Sequence, residues 1–119
     1  MNNIPSISAL HAYGVRQQVN ANNVANVNTP DFKPSRVSME EAPNRQGVRI
    51  QDISRQDEEL RTQGQPQDQM ETERKNEPSK TDLVTEFTEM LENKNAYNAN
   101  AQVIRVNDQM NGEVVNKLV

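Results

Sequence analysis

The side chains able to move protons or bind metals are few and scattered. His11 is the single histidine. A catalytic base or a metal ligand needs a carboxylate or a second ligand beside it, and its surroundings, "SALHAYG", supply neither. Acidic groups stand at Glu40-Glu41 and Asp57-Glu58-Glu59. Neither has the Asp-x-Asp-x-Asp-Gly order of a calcium loop, so solvated charge is the better reading. There is no glycine-rich phosphate loop, nucleophile motif or zinc spacing. The sequence predicts no enzyme, no cofactor and no metal.

The densest chemistry is amide chemistry. "NANNVANVNTPDFKPSR", residues 20–36, holds Asn20, Asn22, Asn23, Asn26 and Asn28 with little large and apolar between them. Asparagine is a poor helix former, but its amide both donates and accepts. On a helix crowded by other helices such groups bond sideways and select register and partner at some cost in stability.

Two helices are expected to carry these groups. Ile7, Leu10, Gly14, Gln17, Ala21, Val24 and Asn28 alternate spacings of three and four, a heptad stripe with small and polar members. Pro5 suits a helix start, and Pro30 pushes Thr29 out of helical geometry, so the helix is expected over 4–28. Leu83, Phe87, Met90, Lys94, Tyr97, Ala101 and Ile104 repeat the spacing, continued by Met110, Val114 and Leu118. That predicts a second helix over about 82–116, capped by Thr81 or Asp82. Between them Val37 and Met39, then Val48 and Ile50, alternate around "APNRQG", which predicts a short β-hairpin. After Ile53 the charged, Gln-rich chain broken by Gly64, Pro66 and Pro78 reads as an exposed loop, with one helical turn at Asp57 and Arg61.

The small residues in the stripes have two readings. In one, the chain is a helical hairpin or bundle with ordinary alanines. In the other, Ala21, Ala25, Ala99 and Ala101 let further helices approach closely.

Composition bounds the partners. Leu, Ile, Val and Phe make up 24 of 119 residues, at the border of disorder, so full ordering is expected only among neighbours. The net charge is −4, with residues 1–38 at +2 and the two later thirds at −3 each. No basic run with stacking aromatics points to nucleic acid. Cysteine is absent, which excludes disulfides and thiolate metal sites. No apolar run has the roughly 18 residues of a membrane span, and "MNNIPSISALHAYG" lacks the basic and apolar regions of a cleavable secretory signal.

Both ends carry a family resemblance. Asn22, Asn23, Val24, Ala25, Asn26, Thr29, Pro30, Phe32 and Lys33 resemble the N-terminal signature of the flagellar basal-body rod and hook proteins, with Asp31 where that family usually has glycine. "DLVTEFTEMLENKNAYNANAQVIRVNDQM" is similar to the family's terminal helix, with Ala96, Tyr97, Ala99, Asn100 and Ala101 on its Ala-Tyr-x-Ala-Asn-Ala pattern. "GVRIQDISR" resembles the middle of one proximal-rod class.

The resemblance implies a mainly α fold: N- and C-terminal helices paired as an antiparallel coiled coil, with a short β-hairpin and loop insert. Its parts are residues 1–34 (axial helix and turn), 35–80 (insert) and 81–119 (axial helix). It implies a structural subunit of the bacterial flagellar proximal rod, spanning the periplasm and stacked helically into a tube that transmits torque and conducts exported subunits. Partners would be itself, other rod proteins and the flagellar type III export apparatus, which needs no cleavable signal. Packing would fall to Asn22, Asn23, Ala25, Asn26, Thr29, Pro30, Phe32, Phe87, Met90, Tyr97, Asn100, Ala101 and Ile104. The alternative is a soluble helical regulatory or chaperone-like protein related to these.

Overall fold

The computed structural model describes residues 2–56 and 77–119. Helix α1 spans Ile4–Ala25, with Pro5 in its first turn, where a missing N–H costs nothing. It stops three residues short of the expected end because Asn26 competes for the last carbonyls. Its N–H reaches Asn22 O and Asn23 O at 3.2 and 3.3 Å, and its Nδ2 donates to Asn22 O at 2.9 Å. The Thr29 hydroxyl donates to Asn26 Oδ1 at 3.1 Å and so closes the turn.

Asp31 follows in the left-handed region, φ 58°, the conformation glycine adopts most easily. The aspartate adds what glycine lacks. Its carboxylate accepts the Glu77 N–H at 2.9 Å, beside a backbone bond from the Asp31 N–H to Glu77 O at 2.7 Å that glycine would make as well. Lys80 N–H donates to Phe32 O at 3.1 Å, so the turn after α1 holds the segment that leads into the second helix.

Strands β1 (Ser35–Glu41) and β2 (Val48–Arg55) form an antiparallel hairpin. β2 runs two residues past Ile53, beyond the expected start of the loop. Val37 faces Ile53 and Met39 faces Ile50, while a register shift leaves Gln51 as the extra residue of a bulge. The turn holds a single 3-10 turn at Pro43–Arg45, with Asn44, Arg45 and Gly47 at positive φ. Gly47 is required twice over: its φ is 108°, and a Cβ there would run into Ser8 Oγ and Pro5. Ser8 Oγ accepts the Val48 N–H at 3.2 Å and donates to Pro5 O at 2.8 Å, which pins the hairpin tip to the start of α1.

Helix α2 spans Leu83–Leu118, 36 residues and about 54 Å. Asp82 caps it; its carboxylate accepts the Val84 N–H at 3.0 Å and the Thr85 hydroxyl at 2.9 Å. α1 and α2 lie side by side in opposite directions, since Asn3 pairs with Asn107, Arg16 with Glu92 and Asn20 with Glu86. α1 therefore begins beside Asn107, and residues 108–118 of α2 extend past that N-terminal end. The helical turn expected at Asp57 and Arg61 lies outside the described residues.

Candidate subunit-packing surface

The helix pair is joined by polar groups. Among the described residues the largest fully buried side chains include Glu86, Asn20, Asn23 and Asn93, whereas the buried apolar core is Ala9 and Ala12. The Glu86 carboxylate accepts from Asn20 Nδ2 at 2.7 Å, Asn23 Nδ2 at 3.1 Å and Arg36 Nη1 at 2.5 Å. A carboxylate can be buried when donors replace its water, and three do so here. Asn23 reaches the hairpin as well, donating to Ser35 O at 2.8 Å and accepting the Ser35 N–H at 3.0 Å. Asn93 Nδ2 donates to Gln17 Oε1 and Asn20 Oδ1, and Arg16 lies 3.6 Å from Glu89 and 3.2 Å from Glu92. Buried Asn93 Oδ1 has no hydrogen-bond partner among the described residues.

The facing stripes are offset from the apolar ones. On α1 the buried positions include Ser6, Ala9, Asn20 and Asn23 rather than Ile7, Leu10, Ala21 and Val24. On α2 they are Glu86 and Asn93, with Asn100 and Asn107 half-buried, rather than Phe87, Lys94 and Ala101. Both helices are thus turned by one position, about 100°, from the mutual apolar seam their spacing predicts. The reason is chemical: Arg36 and the amides of α1 supply partners for Glu86 that a leucine-type seam lacks. The turn points apolar side chains outward, among them Ile7 at 56% exposure, Phe87 at 51% and Val84 at 74%.

The family-motif residues divide between these surfaces. Asn23 is buried in the polar joint. Asn22, Asn26 and Thr29 form the helix-ending turn, beside exposed Pro30 and half-buried Phe32. Asn100 donates within its own helix to Ala96 O at 2.8 Å. Ala25, Ala101, Phe87 and Tyr97 are exposed, and Met90 and Ile104 are half-buried. Ala21 and Ala99 are exposed as well, so close packing within the chain falls to Ala9 and Ala12 instead. Glu86, Arg36 and Asn93 were not expected as a joint. Their signal was present as the seven-residue spacing of Glu86, Asn93, Asn100 and Asn107.

Outside this surface, His11 is exposed and Glu40 pairs with Arg49. Asp57-Glu58-Glu59 lie outside the described residues. No group of three metal-ligating side chains gathers among the described residues, and no described helix is long and apolar enough to cross a membrane. At the start of α2 the Thr85 hydroxyl, and then the Val84 N–H, hold the Asp82 carboxyl below the usual carboxylate range.

Two family models match the segments that carry the helices. "Flagella basal body rod protein" covers residues 6–33, and "Flagellar basal body rod FlgEFG protein C-terminal" covers residues 76–118. The chain belongs to the flagellar basal-body rod protein family. No curated protein matches it. As a rod protein it is a structural component of the flagellar basal body, built to assemble with other rod proteins. For a rod protein, a polar joint inside the subunit and apolar faces outside it form a sensible division of labour.

Proposed function

We propose that this rod protein is a subunit of the proximal rod, stacking helically through homotypic and heterotypic contacts into the tube that transmits torque and conducts exported subunits. The observation that carries the reading is the outward apolar face of α2, including Val84, Phe87 and Leu91. A helix pair that buries its amides and displays its apolar residues has its hydrophobic stabilisation still to gain from neighbours. Asn22, Ala25, Thr29, Pro30, Phe32, Met90, Tyr97, Ala101 and Ile104 then serve packing between subunits, and α1 and α2 run as an antiparallel coiled coil within the wall. An insert of only about 45 residues between the helices, opened by a short hairpin, fits a small proximal subunit better than a distal-rod or hook protein.

The rod spans the periplasm, and the flagellar type III export apparatus delivers the subunit. A chain whose described residues bury so small an apolar core unfolds at little cost, which suits passage through a narrow channel. Deletion of the gene tests the assignment. The expected result is a truncated basal body and loss of swimming, restored by the full chain. A complete rod with normal swimming in the deletion strain overturns it.

A further inference from the structure

Between the helices lies a groove of about 300 Å3, bounded by Tyr13, Gly14 and Gln17 of α1 and by Asn93, Lys94 and Tyr97 of α2. Gly14 leaves its wall open, since a Cβ built there meets nothing within 4 Å. The same chain carries an element able to fill such a groove. Residues 108–118 of α2 overhang α1, and Asn111, Val115 and Leu118 share one face at i, i+4 and i+7. Val115 is 61% exposed and Leu118 81%.

The overhang is also where the polar spacing ends. The seven-residue series Glu86, Asn93, Asn100, Asn107 is followed by Val114, so the face that matches α1's amides turns apolar beyond the N-terminal start of α1. An apolar continuation has no match in this chain's own α1. Nor does the overhang reach the groove of its own subunit. Tyr97 and Val115 are 18 residues apart on one continuous helix, about 27 Å. A second copy is the occupant that supplies this segment without bending α2.

We propose that the α2 overhang of one copy seats Val115 and Leu118 in the groove of the next, between Tyr13 and Tyr97. Donor and acceptor surfaces differ, so the contact is head-to-tail and leaves a free overhang and a free groove at the ends of every chain of copies. With helices running the same way, successive copies are offset by about 27 Å along the axis. The inference rests on the self-assembly reading above and names one of its contacts.

The natural chain has no cysteine, so single variants report directly. Full-length Gly14→Cys is mixed with full-length Val115→Cys under mild oxidation, with Asp52→Cys on the hairpin as the exposed control partner, and association is followed in parallel by sedimentation. The expected result is a Gly14–Val115 disulfide-linked pair in about tenfold excess over the control pair, through the effective concentration that docking creates. Equal yields alongside clear association overturn the groove contact and leave the assembly reading standing. Preferred linkage of Val115→Cys to itself overturns it in favour of overhang pairing with overhang. Absence of association at every concentration overturns both readings.

Discussion

Arg36 on β1 sets a guanidinium nitrogen 2.5 Å from the carboxylate of Glu86 on α2, and Asn20 and Asn23 of α1 donate to the same carboxylate. One buried charge thus joins both helices and the hairpin. Three elements that share little apolar surface acquire a fixed mutual register through it.

Removing that charge is expected to loosen all three together. Glu86→Ala removes the acceptor that Arg36, Asn20 and Asn23 share, leaving Arg36 and Asn20 with Glu89 and Asn23 with Ser35 O, and should lower stability by about 2–4 kcal/mol. Glu86→Gln keeps the shape and one acceptor oxygen and should cost about 1–2 kcal/mol. Urea unfolding followed by circular dichroism measures both. Equal stability of the alanine variant and the parent would refute the joint.

Asp31 combines a left-handed backbone with a carboxylate that accepts the Glu77 N–H. Asp31→Gly relieves the first and loses the second, so stability should stay within about 0.5 kcal/mol of the parent while the Glu77 amide exchanges faster. Asp31→Ala keeps the strain and loses the bond, for a cost of about 1–2 kcal/mol. Hydrogen exchange at Glu77, read beside the unfolding midpoint, separates the two effects.

The cap of α2 predicts an acid response. The folded Asp82 carboxyl titrates below its ordinary value of 3.8. The unfolded state therefore takes up its proton first, and stability falls as pH drops. The contribution is fully present above that ordinary value and is lost as pH falls through the folded one. Asp82→Asn should flatten this acid limb, measured as helicity against pH, while Thr85→Ala should move it toward the ordinary carboxylate range.

Ala25 and Ala101 are exposed, so a larger side chain there meets little within the subunit. Ala25→Leu or Ala101→Leu should change monomer stability by less than about 0.5 kcal/mol. Either should block rod assembly by overfilling a contact between copies. Electron microscopy of basal bodies from the variant strains checks this, and normal rods would count against the packing role of these alanines.

The sequence reveals the elements better than their faces. The proline positions, the Asp82 cap and the strand alternation depend on local backbone chemistry, so both helices and the hairpin can be read from neighbouring residues. The orientation of the helices depends on a residue far away. Arg36, 50 positions before Glu86, supplies the charge that makes burial of a carboxylate acceptable, and the seven-residue spacing of Glu86, Asn93, Asn100 and Asn107 marks a polar face without naming that distant partner. Periodicity ranks apolar side chains as inward by default, and here the saturated polar joint takes the inward place. Asp31 shows the converse: its tolerance of positive φ follows from residue type, whereas its bond to Glu77 needs a segment 46 positions away.

A joint of amides with two buried alanines has a calorimetric consequence. Heat capacity rises on unfolding chiefly through newly wetted apolar surface, and polar surface lowers it. Opening this helix pair wets mostly polar groups, so its heat-capacity increment should fall below the usual ~12–15 cal/mol/K per residue. Its stability curve is then broad and shallow, and scanning calorimetry of the isolated chain should show a low, wide endotherm. Warming or cooling by tens of degrees alters such a subunit little, whereas a rod in which neighbours cover the apolar faces, as proposed above, would acquire the steep thermal response the single chain lacks.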